Sequence, residues 1–312
     1  MGHAVYQLAV VANDVRARRA FVLLLVGAAC IALAPIFVRL SAVGPVPTAF
    51  WRAALAVPFL AALVPLLPDE PGRARWPGRW RDLLAFAVPG FMFAGDLATW
   101  HFAIHYTSVA NATLLPNTAP IFVAVFGFLL YGTRFTRRFL LGMVLALAGV
   151  SLLMGESLRI DSTHVLGDAL AVVTAMFYGG YFLAVARLRA EFATAAVMTF
   201  SIAFTALFLV PVAWIAGGPW LPSGAGGWAV LAGLALVSQT LGQGLIAYAF
   251  AYLPPAFGAV SLLLQPVLAA VFAWVLFSEA LGPVQTGGIA IVLAGVLLAR
   301  QGALRNPVPR DG

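Results

Sequence analysis

The chain has 312 residues, of which 62% are hydrophobic and 9% charged, with a mean hydropathy of +0.99. A soluble domain is nearer half apolar and a quarter charged, so this chain lacks the polar surface that solubility in water requires. Its formal net charge of +7 would suit a nucleic-acid partner, but the basic residues lie in short segments between apolar runs, which excludes that interpretation.

Ten apolar segments are long enough to cross a bilayer as helices, which takes about 20 residues. In chain order they are residues 20–40, 46–67, 82–105, 108–131, 138–154, 166–187, 193–216, 227–250, 254–277 and 282–300. Transmembrane β-strands would be shorter and would alternate in polarity. We therefore predict an all-α integral membrane protein with ten transmembrane helices.

The segments outside these spans are short. Residues 1–19 lack a charged start and a cleavage site, so they are predicted to form a cytoplasmic N-terminal arm and not a signal peptide. Residues 301–312 are predicted to form a cytoplasmic tail. Cys30 is the single cysteine, so an intrachain disulfide is excluded.

All 18 basic residues are arginines, and 15 of them fall on one side of a ten-helix arrangement. They are Arg16, Arg18, Arg19, Arg73, Arg75, Arg79, Arg81, Arg134, Arg137, Arg138, Arg187, Arg189, Arg300, Arg305 and Arg310. The other side has only Arg39 and Arg159. Positively charged loops stay in the cytoplasm, so both termini are predicted to be cytoplasmic.

The chain also contains an internal repeat. Residues 111–153 align without gaps on residues 257–299, at an offset of 146. Identical residues coincide at Pro120 and Pro266, Gly142 and Gly288, and Gly149 and Gly295. Repeats in an apolar chain are typical of secondary transporters.

The repeat divides the chain into two units of five predicted helices, residues 20–154 and 166–300. Because each unit has an odd number of helices, the first starts on one side of the membrane and the second on the other. The sequence therefore predicts two inverted five-helix repeats.

Two ionisable residues lie deep in predicted spans. Arg52 is about six residues into the second span, roughly 9 Å deep at 1.5 Å per residue, and Asp96 is roughly 13 Å deep in the third span. Intramembrane charges are rare and usually functional. They are predicted either to form a structural ion pair or to act in transport, Asp96 in proton coupling and Arg52 in binding a substrate carboxylate.

Further polar and aromatic residues lie mid-span and are predicted to line a central substrate-binding cavity, with helix–helix contact as the alternative role. They are Trp100, Asn111, Asn117, Tyr178, Gln239, Gln243, Tyr248, Ser261 and Gln265. Gln239 and Gln243 are four residues apart, so they share one helix face.

Among the prolines inside predicted spans are Pro35 in the first, Pro116 and Pro120 in the fourth, and Pro266 in the ninth. Proline lacks the amide hydrogen that a helix needs, and exposed carbonyls at membrane depth are tolerated only within protein or along a cavity. These positions are predicted to be hinges for gating, with a static kink as the alternative.

The fifth and tenth spans are poor in polar residues and rich in small ones, such as Gly142, Gly149, Gly288 and Gly295. Small residues at helical spacing let helices approach closely. These two spans are predicted to be packing helices away from the substrate, and a possible homodimer interface.

The segment LQPVLAAVFAWVLFSEALGPVQTGGIAIVLAGVLLA (residues 264–299) and the first-half segment TAPIFVAVFGFLLYGTRFT resemble the drug/metabolite transporter superfamily, EamA type. The first half departs from the pattern at Thr133, where the family usually carries Glu. Within this group the chain looks most similar to amino-acid exporters, including the aromatic amino-acid type. The resemblance implies a bacterial inner-membrane carrier working by alternating access.

The predicted function is therefore export of small metabolites, foremost aromatic or hydrophobic amino acids. A nucleotide-sugar or sugar-phosphate cargo is an alternative, although polyphosphates call for more cations than Arg52. A membrane interaction or sensor protein that transports nothing is a third interpretation, and a lipid-modifying enzyme is a fourth. No nucleophile, metal-ligand or nucleotide-binding motif occurs, so neither an enzyme activity nor a cofactor or metal is predicted.

Overall fold

A computed structural model describes residues 2–107, 109–154, 165–277 and 281–303 of the chain. The described part is helical, without a β-strand; its one bridge joins Ala74 to Phe192. Nine helical segments there are long and apolar enough to cross a membrane, and Leu115–Tyr131 is a shorter tenth. The predicted all-α membrane protein is confirmed, with nine to ten candidate spans.

The first half contains eight α-helices and one 3₁₀ turn. They are α1 (Gly2–Ala32), α2 (Ala34–Leu40), α3 (Pro45–Leu66), α4 (Trp80–Ala85), α5 (Ala87–Tyr106), α6 (Val109–Leu114), the 3₁₀ turn Leu115–Thr118, α7 (Ala119–Tyr131) and α8 (Arg137–Met154).

The second half contains seven α-helices and one π-helix. They are α9 (Val165–Leu188), α10 (Thr194–Ala216), α11 (Gly224–Gly233), the π-helix Leu234–Gln243, α12 (Gly244–Ala249), α13 (Pro255–Ser261), α14 (Leu264–Phe277) and α15 (Pro283–Ala303).

Residues 2–19, predicted to form an N-terminal arm, are helical and continuous with the first span, because α1 runs from Gly2 to Ala32 without interruption. The candidate span begins at Val15, so α1 starts before it. The cytoplasmic arm stays a prediction. No proline occurs before Pro35, so nothing in the sequence stops the helix earlier.

The packing of the helices follows the repeat: where two helices pack together, the helices that align with them at the 146-residue offset also pack together. α5 packs on α9, and its counterpart, the π-helix with α12, packs on α1. In the same way α7 packs on α9 while α14 packs on α1. α3 packs on α10 and α8 on α15, and each of these pairs consists of offset counterparts. Residues of both halves therefore surround the centre of the bundle.

The small residues of α8 and α15 face each other within the chain. A Cβ atom on Gly149 would lie 2.6 Å from the amide nitrogen of Val292, and one on Gly142 would lie 2.6 Å from the carbonyl oxygen of Gly295. The two backbones thus touch where the side chains are smallest. The glycines that suggested a dimer interface are buried in this contact within the chain, so they are not accessible to a second copy.

Candidate functional site

The main cavity lies between helices of both halves and has a volume of about 210 Å³. The predicted residues that line it are Arg52, Asp96, Trp100, Pro116, Asn117, Tyr178, Gln243, Gln265 and Pro266. Thr48, Phe93, His101 and Thr174 line it too, although the sequence did not single them out as substrate contacts. The cavity is thus apolar on most of its wall, with a few polar groups, as small-molecule sites are.

Two broken helices border this cavity at equivalent positions of the repeat. The first half has the 3₁₀ turn Leu115–Thr118 between α6 and α7, and the second half has a turn at residues 262–263 between α13 and α14. At the second break the amide of Gln265 donates to the carbonyl of Leu262 (2.9 Å), because the regular helical pattern stops before Pro266. Discontinuous helices around a central site are typical of secondary transporters.

The π-helix Leu234–Gln243 has no counterpart in the first half, where the equivalent residues 88–97 lie in the regular helix α5. It carries Ser238, Gln239 and Gln243, all buried. The Ser238 hydroxyl donates to the carbonyl of Cys30 on α1 (3.2 Å). π-Helical turns are rare and occur mostly at functional sites. The two halves therefore differ in helix type at equivalent positions beside the cavity.

Arg52 is 8% exposed and its guanidinium contacts the second half of the chain. Its Nε donates to Oε1 of Gln239 (2.7 Å), and its Cζ lies 5.8 Å from the centre of the Phe93 ring. A buried cation held by a neutral amide and a ring keeps its full positive charge available to the cavity. An anionic group of a ligand is the partner that this arrangement lacks.

Asp96 lines the same cavity but forms no ion pair with Arg52 in the part of the chain that the structure describes, where the ion pairs join Glu70 and Asp69 to other arginines. The predicted pair is therefore replaced by the contact of Arg52 with Gln239. The cavity thus holds a basic and an acidic side chain that are not joined by a direct salt bridge among the described residues.

Glutamine amides supply further polar atoms. Nε2 of Gln243 lies 3.5 Å from the Tyr178 hydroxyl. Among the described residues, Nε2 of Gln239, Oε1 of Gln243 and Nε2 of Gln265 are buried without a protein hydrogen-bond partner. An unsatisfied buried polar atom costs about 1–3 kcal/mol, so such a cluster indicates atoms kept for a ligand or for water.

Trp100 and His101 lie at the end of the cavity opposite the arginine-rich loops. The Trp100 indole donates to the carbonyl of Ala112 (3.0 Å), and its ring is 4.9 Å from that of His101. His101 also lines a second cavity of about 160 Å³, together with Pro45, Tyr106 and Gly217. The imidazole therefore stands between the main cavity and a vestibule at that end.

Several predicted site residues lie elsewhere. Asn111 donates to Asp168 Oδ1 (3.0 Å), and the Ser261 hydroxyl donates to the carbonyl of Phe257 (2.8 Å), so both serve structural contacts. Tyr248 packs on the ring of Tyr252 (5.1 Å), which itself lies 5.2 Å from Cζ of Arg73. Helical spacing could not separate these roles, because it gives the face of a helix but not the neighbour.

The remaining predicted residues border the site or fall outside it. Gln239 is fully buried behind Arg52 and does not line the cavity itself. Pro120 is buried in the first turn of α7, away from the cavity wall. Pro35 lies in the first turn of α2, after the break at Leu33 that separates α2 from α1, and its side chain is outside the described part.

A polytopic helical fold with broken helices around a central cavity is typical of membrane transport proteins. The sequence profile of the EamA-like transporter family matches residues 18–155 and again residues 165–301. The chain therefore belongs to this family, as the sequence motifs predicted, and it is a multi-pass membrane transporter of the drug/metabolite transporter superfamily.

Individual relatives agree with this assignment. An uncharacterized transporter of Archaeoglobus fulgidus is 29% identical over 187 residues, which are 58% of this chain and 62% of that protein, less than two thirds of its length. The pseudopaline exporter CntI of Pseudomonas aeruginosa is 27% identical over 215 residues, 68% of this chain and 74% of the exporter. A solved crystal structure superposes with a TM-score of 0.76 at 18% identity, covering 92% of this chain and 98% of the other, and shows the shared fold.

Proposed function

We propose that this protein exports small zwitterionic metabolites, foremost amino acids with aromatic or hydrophobic side chains, by alternating access across the inner membrane of a bacterium. The observation that carries the proposal is that one cavity is lined by both a basic residue, Arg52, and an acidic residue, Asp96. Arg52 would bind the substrate carboxylate and Asp96 its ammonium group. Trp100, Phe93 and Tyr178 would surround the apolar side chain.

The size and charge of the cavity favour this cargo over phosphorylated ones. Its volume of about 210 Å³ is below the range of roughly 300–1,000 Å³ typical of sites for drug-sized ligands. Arg52 is the one Lys or Arg among the lining residues, whereas nucleotide sugars and sugar phosphates call for several cations. A second candidate cargo is a pseudopaline-like compound, which is favoured by the similarity to the Pseudomonas exporter.

The arrangement in the membrane follows from the arginine distribution and the repeat. In this proposal both termini are cytoplasmic, and the two halves are inverted repeats that rock around the cavity. The exchange of packing partners under the 146-residue offset supports the repeat relation. A homodimer through α8 and α15 would use their exposed outer residues, such as Leu141 and Leu297, and cross-linking at those positions tests it.

The first test is counterflow of labelled substrate in proteoliposomes, with aromatic, branched and small amino acids, a nucleotide sugar and a sugar phosphate, each with and without a pH gradient. Saturable exchange of one amino-acid class supports the proposal. Exchange of only the phosphorylated compounds contradicts it. Absence of exchange with every compound, in protein that is folded by size-exclusion chromatography, contradicts the cargo assignment.

Asp96→Asn is expected to remove the dependence of uptake on the pH gradient, while substrate exchange at equal pH falls by no more than about tenfold. Asp96 is the one acidic residue among those lining the cavity, and its amide analogue can still accept a hydrogen bond but cannot carry a proton. Uptake with and without a gradient measures this. Asp82→Asn, at an exposed helix start, is the control. An unchanged response to the gradient in Asp96→Asn would exclude the coupling role.

A further inference from the structure

The cavity is closed on the side of the arginine-rich loops. We call this side the arginine-rich end; it contains residues 67–79, 189–193 and 250–254. Below the cavity at this end, aromatic rings form a continuous layer: Phe93 stacks on Tyr181 (4.7 Å) and Phe182 packs on Phe250 (5.1 Å). Beyond this layer lies a set of charged contacts made by arginines whose positions in the sequence indicated only the orientation in the membrane.

Glu70 is the centre of these contacts. Its Oε2 pairs with Nη2 of Arg189 and lies 3.4 Å from Nη1 of Arg73. Its Oε1 accepts hydrogen bonds from the amide (2.8 Å) and the hydroxyl (2.7 Å) of Thr194, the first residue of α10. One carboxylate thus joins the loop after α3 to the loop after α9 and to the start of α10. We call Glu70, Arg73, Arg189 and Thr194 the Glu70 cluster.

The two arginines extend the contact to other elements. Arg189 is fully buried and donates to the carbonyls of Phe192 and of Ala247 in α12 (Nε, 3.1 Å). Arg73 donates to the carbonyl of Arg189 (2.7 Å), and its Cζ lies 5.2 Å from the ring of Tyr252. The two halves of the chain are therefore joined at this end by charge-assisted hydrogen bonds, which are stronger than neutral ones.

Electrostatics keep these groups charged. Burial alone would raise the pKa of Glu70, but the Arg189 guanidinium and the hydrogen bonds from Thr194 outweigh it and hold that pKa below its usual value. The stabilisation that the ionised Glu70 carboxylate gives to these contacts is thus present at neutral pH, and it is lost only as the pH falls through the lowered pKa. A physiological pH gradient does not switch these contacts.

At the opposite end, the loops equivalent to these meet through neutral groups in the part of the chain that the structure describes. Under the 146-residue offset Thr194 corresponds to Thr48, and the loop containing Glu70 corresponds to residues near 216. There the amide of Gly44 donates to the carbonyl of Pro219 (3.0 Å), and the Trp51 indole donates to that of Trp220 (2.6 Å). Between these equivalent loops, the described contacts are therefore charge-assisted at the arginine-rich end and neutral at the other.

We propose that the Glu70 cluster is the gate that closes the cavity at the arginine-rich end, and that its contacts break whenever the cavity opens to that side. The inference rests on the proposed transport function and assigns a step of its cycle to residues outside the cavity.

The test measures access to the cavity and needs no substrate. A cysteine replaces Ala269, a cavity-lining residue, in a Cys30→Ser background, and a small membrane-impermeant methanethiosulfonate is added from either face of oriented vesicles. Glu70→Gln keeps the shape of the side chain but removes the charge. We expect it to raise labelling from the arginine-rich face by about tenfold or more, because hydrogen bonds to charged groups shift equilibria by that order.

Asp69→Asn is the matched control, because Asp69 is the adjacent residue and pairs with Arg75 on the surface, where its side chain is 81% exposed. We expect it to leave labelling unchanged. Equal labelling of the Glu70→Gln and Asp69→Asn proteins would overturn the gate. If labelling rises as expected but no tested cargo is exchanged, the gate stands and the cargo assignment fails.

A cross-link gives an independent result that does not depend on losing a buried charge. The exposed residues Ala74 and Glu191 are joined by a backbone hydrogen bond from Ala74 to the Glu191 carbonyl (2.8 Å). Cysteines at both positions, linked by oxidation or by a short bis-maleimide, should stop substrate exchange, and reduction of the disulfide should restore it. Full exchange by the cross-linked protein would contradict the proposal.

Discussion

Arg52→Met is expected to lower substrate exchange by about two orders of magnitude. Hydrogen bonds to charged groups contribute about 1.5–3 kcal/mol, and about 1.4 kcal/mol is a factor of ten in affinity. Among the described residues that line the cavity, Arg52 is the one arginine or lysine, and its Nε donates to Gln239. Methionine keeps an unbranched apolar stem but not the guanidinium, so the change removes the charge and its hydrogen bond to Gln239. Counterflow at several substrate concentrations measures the loss.

Two further variants separate binding from structure. Arg75→Met removes an arginine from an ion pair at the surface and should exchange substrate at the wild-type rate. Gln239→Leu leaves Arg52 in place but without its partner, so an intermediate loss is expected. A folded Arg52→Met protein with wild-type exchange would refute the role of Arg52 in binding substrate.

Gly288→Val is expected to destabilise the folded protein by roughly 3 kcal/mol, the upper part of the usual range for overpacking. A Cβ on Gly288 would lie 2.7 Å from the amide nitrogen of Leu153 and 2.8 Å from the carbonyl oxygen of Gly149. Both are backbone atoms of α8 that cannot move aside as a side chain does. Separation of α8 from α15 would be the only relief, and it would open the close contact along the whole pair.

The adjacent residue provides the control for this substitution. A Cβ on Gly287 would meet nothing within 4 Å, and it lies in the same helix, so the intrinsic helix propensity of valine acts equally at both positions. Thermal unfolding in detergent should show a clearly lower midpoint for Gly288→Val than for Gly287→Val. Equal midpoints would mean that the α8–α15 contact does not limit stability.

The general architecture could be predicted from the sequence, because a bilayer imposes a simple requirement. Every backbone group must be bonded inside the helix, so each span appears as a continuous apolar run. The 146-residue repeat likewise indicated which helices are counterparts, and the glycines of α8 and α15 indicated a close helix contact. The partner of that contact was not predictable, and the chain itself supplies it.

The candidate site was predictable only in part. Asp96 and Trp100 are four residues apart and therefore share a helix face, Tyr178 lies mid-span, and the structure brings all three to one cavity. Asn111 looked equivalent in the sequence, but Asp168 is close enough to take its amide as a structural partner. The rule that places a polar group inside the protein does not distinguish a ligand contact from a contact between helices.

The sequence by itself determined the membrane class, the number of spans to within one, the repeat and the set of polar residues from which a site could be built. Only the tertiary structure decided that Arg52 contacts Gln239 and not Asp96. The same holds for the contact of Glu70 with Arg189, which lies 119 positions further along the chain. Periodicity records which way a side chain points along its own helix. A contact between distant segments depends on how whole helices are placed relative to each other. That placement is determined by the packing of all the helices in the bundle.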